Sequence, residues 1–219
     1  MSKNEKISNS VIRRLPRYYR FLGELLSEGV TKISSRELAE RMNVTASQIR
    51  QDLNCFGGFG QQGYGYTVAD LRGEIGAILG VDKHRGAIII GAGNLGRTLA
   101  VHFDYEKYGC ELCGIFDSDP AAVGTATGGY TVQPMTELDG FCEKHKPEIA
   151  ILCIPKSAAA EVGKRLAKLG IKGFWNFTHY DLRLEDIEGA VVENVHLGDS
   201  LMALCYGLNN KSEDDESAE

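Results

Sequence analysis

A glycine-rich turn that directly follows an apolar strand constrains the fold of this chain more than any other feature of its 219 residues. The strand Ala87–Ile90 runs into the letters G-A-G-N-L-G, from Gly91 to Gly96, and these open an amphipathic helix. Asp117 stands 21 residues past Gly96, at the end of a second apolar strand. Glycines at these spacings between a strand and a helix, with an acidic residue at this distance, are typical of a βαβ unit that binds a dinucleotide.

Each residue of this motif has a physical reason. Gly91 permits a tight turn, Gly93 lets the backbone approach a pyrophosphate, and Gly96 lets the helix pack close to the strand. The first N–H groups of the helix are free to donate to phosphate oxygens. Asp117 can accept hydrogen bonds from a ribose 2′-hydroxyl and would repel a 2′-phosphate, which favours NAD(H) over NADP(H). The alternative is that Asp117 only caps the turn before Pro120.

Strands and helices alternate from residue 86 onwards, and this pattern predicts an α/β domain with a Rossmann-type, doubly wound parallel sheet. We predict strands at 87–90, 112–116, 130–132, 149–154, 173–176 and 191–195, and helices at 94–108, 135–145 and 157–169. Ligands of such folds lie beyond the carboxyl ends of the strands. We therefore predict that NADH and NAD⁺ contact Gly91, Ala92, Gly93, Asn94, Leu95, Gly96, Asp117, Ile154, Pro155 and Asn176.

The first 85 residues contain two short helices with N-terminal capping signals. An amphipathic helix is predicted over 11–29, with its regular part beginning near Pro16 and its end at Gly29. The segments Ser34–Glu37 and Thr45–Gln48 both have the sequence of a capping box, and each begins a short helix. Two capped helices separated by about three residues are typical of a helix-turn-helix. The alternative is a helical hairpin in an unrelated bundle.

Glycines interleaved with aromatic residues over 56–66 predict a β-ribbon, or wing, although a flexible linker is the alternative. A helix over 67–79 closes the unit. Residues 1–85 carry 13 Lys and Arg against 9 Asp and Glu, whereas residues 86–219 carry 11 against 21. This asymmetry indicates a polyanionic partner for the basic part, unless the charges only form a solvated helix face. The predicted contacts to double-stranded DNA are Arg13, Arg14, Arg17, Tyr18, Ser47, Gln48, Arg50, Gln51, Gln62 and Tyr64.

Several other classes of protein are disfavoured. No apolar run reaches the roughly 18 residues of a membrane span, and the polar N-terminus is not followed by a signal core, so we expect no membrane partner and a cytoplasmic location. The one C-x-x-C, Cys110 to Cys113, has no second pair, so we predict structural thiols and no metal site. A dehydrogenase needs a substrate domain and a proton donor, and neither is evident, so we predict no enzyme. The alternatives are a small NAD(P)-dependent enzyme and a CoA-binding module.

Taken together, these parts resemble the Rex family of redox-sensing transcriptional repressors, from Pro16 to Leu208. The residues that carry the resemblance are Pro16-Arg-Tyr18, Arg20, Leu22, Gln48–Leu53, Phe56-Gly57, Phe59-Gly60, Gly63–Tyr66, Gly91–Gly96, Phe116-Asp117 and Asn176-Phe177. The resemblance implies a homodimer with an N-terminal winged helix, a Rossmann domain and a C-terminal helix that is swapped onto the partner. It also implies that NADH releases the repressor from an AT-rich inverted repeat, whereas NAD⁺ permits DNA binding.

The chain departs from the pattern of that family at four places. Gln51 stands where the family usually has Lys, and Gln61 or Gln62 where it has Arg or Lys. His196 and His102 stand where it has an Asp and a Tyr that couple the nicotinamide site to the DNA-binding domain. We hypothesise that these two histidines take over the coupling.

The predicted domain boundaries follow from these features. A winged-helix DNA-binding domain spans 1–85 and a Rossmann NAD(H)-binding domain spans 86–196. A dimerisation helix spans 197–210, with Leu197, Leu201, Leu204 and Leu208 on one stripe, and an acidic disordered tail spans 211–219.

Overall fold

The computed structural model describes residues 7–56 and 65–216, which fall into two compact units, Met1–Lys83 and His84–Glu219. Each unit has its own apolar core. The described part of the first unit contains helices α1 (Asn9–Ser27), α2 (Ser35–Met42), α3 (Ala46–Asn54) and α4 (Val68–Leu79) and strands β1 (Lys32–Ile33) and β2 (Tyr66–Thr67). Its core is formed by aliphatic side chains from all four helices, among them Leu15, Leu22, Leu38, Ile49, Leu53 and Ile75.

Helices α2 and α3 form the predicted helix-turn-helix, but only the first capping box is complete. The Ser34 hydroxyl accepts a hydrogen bond of 3.1 Å from the Glu37 N–H, and the Glu37 carboxylate accepts one of 2.8 Å from the Ser34 N–H. Thr45 accepts the corresponding bond of 3.1 Å from the Gln48 N–H. The Gln48 side chain does not return it, because its amide donates to Asp52 instead.

Helix α1 begins earlier than predicted. It starts at Asn9, and Pro16 lies inside it. A proline in a helix interior removes one backbone hydrogen bond. Burial of Val11 and Leu15 supplies the apolar packing that keeps the turns before Pro16 helical. The predicted helix end is confirmed, because Gly29 follows α1 at φ +79°.

Residues 57–64, most of the predicted wing, lie outside the described residues, and they include Gln62 and Tyr64, two of its predicted DNA contacts. Strand β2 begins at Tyr66, at the end of the predicted wing, and pairs antiparallel with β1, so that Lys32 faces Thr67 and Ile33 faces Tyr66. The sequence had not indicated β1.

A seven-stranded sheet forms the centre of the second unit. Its strands are β3 (Arg85–Ile90), β4 (Cys110–Asp117), β5 (Ala126–Thr127), β6 (Tyr130–Pro134), β7 (Ile149–Leu152), β8 (Gly173–Asn176) and β9 (Val191–Asn194). They lie in the order β5-β6-β4-β3-β7-β8-β9, and every pair except β5–β6 is parallel. The helices are α5 (Asn94–His102), α6 (Leu138–His145), α7 (Lys156–Lys168) and α8 (Leu197–Glu216). This topology confirms the doubly wound parallel sheet.

Alternating residues of β3 point into two separate apolar clusters. Ile88 and Ile90 pack with side chains of α6 and α7, whereas Ala87 and Ile89 pack with Ala100 of α5. Such alternation is expected for a strand that is buried on both faces.

Two helices of the second unit differ from their predicted bounds. Helix α5 ends at His102 instead of residue 108, and a short 3₁₀-helix, Glu106–Tyr108, follows. The Asp104 carboxylate accepts from the Lys107 N–H, and this local bond competes with continuation of the helix. Helix α8 continues to Glu216, into the segment predicted to be disordered, because extending an existing helix adds a hydrogen bond for each residue. No helix among the described residues is long and apolar enough to cross a membrane.

Candidate functional site

The glycine-rich turn between β3 and α5 has two positions where only glycine fits. Gly91 has φ +101°, and a Cβ there would lie 2.5 Å from the Cys153 carbonyl oxygen. A Cβ on Gly96 would overlap the Gly91 carbonyl oxygen, so the helix can approach the strand only without a side chain at this position. A Cβ on Gly93 would meet nothing within 4 Å. Space is therefore open beside the turn at the position where a pyrophosphate is expected.

Asp117 lies against this turn. Its Oδ2 accepts a hydrogen bond of 2.6 Å from the Ala92 N–H, and its Oδ1 accepts one of 2.8 Å from the Asp119 N–H. A carboxylate has about four acceptor positions, so both oxygens can still accept from a ribose hydroxyl. The fold thus joins the two parts of the predicted fingerprint, which are 25 residues apart in sequence.

A cavity of about 480 Å³ opens beyond the carboxyl ends of β3, β4 and β7. Apolar side chains dominate its wall, and Asp117 is its charged group, a combination that suits a planar base attached to a sugar. The lining residues are Ile90, Gly91, Gly93, Asp117, Ser118, Met135, Cys153, Ile154, Pro155, Ala158 and Val162. Ile154 and Pro155 were predicted to line it. Met135, Ala158 and Val162 were missed, because ordinary apolar residues in or next to helices carry no signal of a ligand.

The residues present fit a dinucleotide at this edge of the sheet. Asn94 and Leu95 form the exposed first turn of α5, whose N–H groups have no partner within the helix. The phosphates fit between this helix start and the open side of Gly93. A ribose fits next to Asp117, and a base fits in the cavity.

The prediction for Asn176 is wrong. This side chain is only 1 % exposed, and its amide donates to the Asn194 side chain at 2.7 Å and to the Tyr180 carbonyl at 2.6 Å. Its oxygen accepts from the Thr178 hydroxyl at 2.7 Å. Buried amides must find partners, and here they link β8 to β9 instead of binding a ligand.

The candidate DNA interface of the first unit is the outer face of α3. Ser47, Arg50 and Gln51 are exposed there, and the Arg50 guanidinium lies 3.2 Å from the Ser35 hydroxyl of α2. Arg13 is exposed on α1. These four residues have the exposure that contact with DNA requires.

Four other predicted DNA contacts are engaged within the unit, and one of them, Gln48, donates its side-chain amide to Asp52 at 2.9 Å. Tyr18 is buried, and its hydroxyl donates to Asp52 at 2.6 Å, so the prediction that it binds DNA is wrong. Arg14 donates two hydrogen bonds to the Asp52 carboxylate, at 2.6 and 2.7 Å. Arg17 donates to the Met42 carbonyl at the end of α2. Arg14 and Arg17 of α1 thus hold the helices of the unit together, whereas their charge had indicated only a contact with DNA.

Asp52 is the centre of this buried polar network. Burial by itself raises the pKa of the carboxyl group. Hydrogen bonds from Arg14, Tyr18 and Gln48, with the positive charge of Arg14, outweigh that effect and hold the pKa below its usual value. The ionised carboxylate is therefore the form that the folded unit stabilises.

The two histidines of the coupling hypothesis lie on different elements. His102 is exposed at the end of α5, and His196 follows β9. The His196 Nε2 lies 2.7 Å from an Asp181 carboxylate oxygen, and its ring centroid lies 6.5 Å from that of His179. Within the described residues, no hydrogen bond joins His102 to His196.

The thiols of the C-x-x-C pair lie on opposite faces of the sheet. Cys113 occupies an irregularity of β4, where Leu112 pairs with Ala87 and Gly114 with Ile88. Cys110 packs in one apolar cluster and Cys113 in the other. Burial raises the pKa of both thiols, so both are protonated and structural at neutral pH. In residues 7–56 and 65–216, no three His, Cys, Asp or Glu side chains are grouped to hold a metal ion.

Comparison with protein families identifies both units. The model for "Putative DNA-binding protein N-terminus" matches residues 6–54, and the model for "CoA binding domain" matches residues 82–180. The chain is 52 % identical over 211 residues to the redox-sensing transcriptional repressor Rex of Thermoanaerobacter pseudethanolicus, covering 96 % of this chain and 93 % of that protein. It is 48 % identical over 206 residues to the Rex repressor of Clostridioides difficile, covering 94 % of this chain and 97 % of that protein.

Solved structures give the same result. The crystal structure of RSP in complex with β-NAD⁺ and operator DNA has a TM-score of 0.87 and 50 % identity, covering 96 % of each chain. The crystal structure of RSP in complex with β-NADH has a TM-score of 0.87 and 46 % identity, covering 97 % of this chain and 99 % of that one. The chain therefore belongs to the Rex family of redox-sensing transcriptional repressors.

Proposed function

We propose that this chain represses transcription when NADH is scarce and releases its operator when NADH binds. The single observation that carries the proposal is the bond between the Ala92 N–H and Asp117, which joins both halves of a dinucleotide fingerprint in a chain that also contains a helix-turn-helix. The RSP complexes with NAD⁺, NADH and operator DNA support it.

The nucleotide unit provides the sensing site. NADH and NAD⁺ bring the redox-active nicotinamide ring when they bind. The residues of the chain bind and orient the shared part: the turn Gly91–Gly96 receives the pyrophosphate, Asp117 accepts from the adenosine ribose, and Ile154 and Pro155 flank the base. Asp117 also disfavours a 2′-phosphate, so NADPH is a poor ligand.

The first unit provides the DNA-binding surface. Ser47, Arg50 and Gln51 on α3 enter the major groove, where Arg and Gln side chains can read base edges. Arg13 adds a cation toward the phosphates. A dimer reads two half-sites related by symmetry, so the operator is an inverted repeat, AT-rich as the family resemblance implies.

A homodimer is supported by two apolar surfaces of the second unit. Leu197, Leu201 and Leu204 of α8 are each 60–62 % exposed, and Met202 and Tyr206 on the other side of the helix are exposed as well. A helix that is apolar all round is normally buried. In the same unit, a groove of about 360 Å³ on the sheet is lined by apolar and aromatic side chains, among them Phe103, Tyr105, Tyr108 and Trp175. We propose that α8 is swapped onto a second copy and covers such a surface there.

Ligand binding can release DNA only if NADH binds the DNA-incompetent arrangement better. To shift the repressor from mostly DNA-bound to mostly free, NADH must bind the DNA-incompetent arrangement about 10⁴-fold more tightly than the DNA-competent one. NADH and NAD⁺ differ only at the nicotinamide ring, so the discriminating residues lie at that ring and not at Asp117. We propose that His196, with His102, supplies this discrimination.

The chain is a regulator and not an enzyme in this proposal. The relatives with high identity are named as transcriptional repressors. A repressor acts where its operator lies, so we propose a cytoplasmic location, with DNA and a second copy as partners.

A DNA mobility-shift assay titrated with NADH, NAD⁺, NADPH and CoA tests the function. Release by NADH at concentrations where NADPH and CoA leave the complex intact is the expected result. Release by CoA alone would instead indicate a CoA-binding module. DNA binding that no nucleotide changes would contradict the proposal.

A further inference from the structure

Arg97 follows the last glycine of the turn, and its guanidinium contacts both the turn and a neighbouring loop. Its Nε donates to the Ala92 carbonyl oxygen at 2.6 Å, and its Nη2 donates to the Thr125 hydroxyl at 3.3 Å. The side chain is partly buried. A guanidinium holds its N–H donors in a rigid plane, so one Arg can fix two acceptors relative to each other.

The two peptide groups that flank the Ala92 Cα are consequently both held. The Ala92 N–H donates to Asp117, and the Ala92 carbonyl accepts from Arg97. Asp117 also accepts from the Asp119 N–H, at the start of the loop that ends at Thr125. Turn, acidic residue, loop and arginine therefore form a closed ring of contacts around the place where ribose and phosphate are expected.

We propose that Arg97 is a positioning residue for the dinucleotide. It holds the glycine-rich turn in the conformation that receives the pyrophosphate, and so it determines affinity for the ADP part that NADH and NAD⁺ share. The ratio of the NADH and NAD⁺ affinities is independent of it, because the two ligands differ only at the nicotinamide ring. This inference rests on the proposed nucleotide-binding function.

Two physical effects of Arg97 both strengthen binding of the dinucleotide. Ala92 is buried, so its carbonyl needs a partner. Without Arg97 the Ala92–Gly93 peptide is free to rotate, and the N–H groups of the turn lose their preformed directions. A pyrophosphate is an anion and binds next to the Asp117 carboxylate. The positive charge of Arg97, one peptide away, offsets the repulsion between these negative groups.

The test compares Arg97→Ala with the wild type in the full-length protein. NADH binding is followed by its fluorescence, and NAD⁺, ADP and adenosine are measured as competitors. Removing a charge-assisted hydrogen bond should weaken NADH, NAD⁺ and ADP about tenfold each and leave their ratios unchanged. Adenosine has no phosphate, so its affinity should stay within about twofold of the wild-type value. A site that had merely collapsed would lose adenosine as well.

Three further variants separate positioning from general damage. Arg97→Lys keeps the charge but cannot hold both acceptors, so it should recover part of the lost affinity. Thr125→Val removes one acceptor, and in combination with Arg97→Ala it should weaken ADP no further, because the two residues act through one contact. Arg85→Ala is the control: this half-buried arginine at the opposite end of β3 pairs with Glu148, and its loss should leave all four affinities unchanged.

NADH affinity within twofold of wild type in Arg97→Ala would overturn the inference, and so would a parallel loss of adenosine. Neither result affects the proposed function, which the wild-type protein alone decides by binding NADH and releasing DNA. Wild-type protein that did not bind NADH would overturn both.

Discussion

Tyr18 and Asp52 share a hydrogen bond of 2.6 Å that joins α1 to α3 in the interior of the first unit. Arg14 and Gln48 donate to the same carboxylate. Helix α3, which carries the predicted DNA contact Arg50, is therefore held in place by a buried charge that is fully hydrogen-bonded. Such a network fixes the orientation of α3 relative to α1, since losing one member leaves the others buried without hydrogen-bond partners.

Asp52→Asn should destabilise the first unit by about 3 kcal/mol, because the Arg14 guanidinium loses its counter-charge in a buried site. Hydrogen–deuterium exchange of α1 and α3 amides measures this locally, and Glu74→Gln on the exposed face of α4 is the control. The wild-type carboxylate has a lowered pKa, so its contribution is present above the unfolded value near pH 4 and is lost as the pH falls below it. The variant should lack that part of the acid dependence. Equal protection of both proteins at pH 7 would refute the role of Asp52.

Asp117→Ala should weaken NADH binding by about 1–3 kcal/mol, because the ribose hydroxyl loses its acceptor. It should also reduce the discrimination against NADPH, since the repulsion of a 2′-phosphate disappears. Calorimetry with both nucleotides measures the two effects. An exposed carboxylate outside the cavity, Glu161→Ala, is the control. Unchanged affinity for NADH in Asp117→Ala would exclude it from the ribose site.

Arg50→Ala should weaken specific DNA binding about 5- to 150-fold per half-site without unfolding the protein, since a single Arg contact to a base is worth about 1–3 kcal/mol. Mobility shifts with operator and with unrelated DNA measure it. Arg41→Ala is the matched control, because Arg41 is an exposed arginine of α2 that pairs with Glu28 at 2.7 Å. Normal operator binding by Arg50→Ala would mean that α3 is not the helix in the groove.

Removing residues 197–219 should convert the proposed dimer to monomers or aggregates, because the apolar side chains of α8 would no longer cover a partner surface. The double substitution Leu201→Glu and Leu204→Glu should act in the same direction with the helix still present. Light scattering measures the molar mass, and Asp199→Ser on the same helix should leave it unchanged. A stable dimer of the truncated chain would contradict the swap.

His196→Ala should shift the NADH/NAD⁺ ratio at which DNA is released, because we propose that this histidine lies at the nicotinamide ring, where the two ligands differ. A positive charge on the imidazole would repel the positive ring of NAD⁺ and leave NADH unaffected. The Asp181 carboxylate, whose Oδ1 lies 2.7 Å from the His196 Nε2, limits that charge effect, and the His179 ring lies beside His196.

DNA release is measured against the NADH/NAD⁺ ratio in wild type and His196→Ala. The control is His145→Ala, which removes an imidazole stacked on Phe141. A midpoint that the substitution at His196 leaves unmoved would remove this histidine from the switch.

Local sequence patterns determined the backbone of both units. Gly91 and Gly96 are required by the turn itself, since any Cβ there meets a backbone oxygen, and this requirement is visible as a spacing of letters. The capping box at Ser34 and the apolar strands of the sheet are encoded within a few residues in the same way. The position of Asp117 could also be predicted, because the length of a βαβ unit nearly fixes it.

Only the tertiary structure decided what the polar side chains do. Arg14 lies 38 residues from Asp52, and Tyr18 lies 34 residues from it, so no local pattern distinguishes these internal contacts from a DNA-binding surface. Asn176 stands at a strand end that suits a ligand, but its amide binds Asn194 across the sheet. Arg97 carried no signal at all. The backbone follows from short-range geometry, whereas the role of a polar side chain depends on which distant partner folding brings within 3 Å of it.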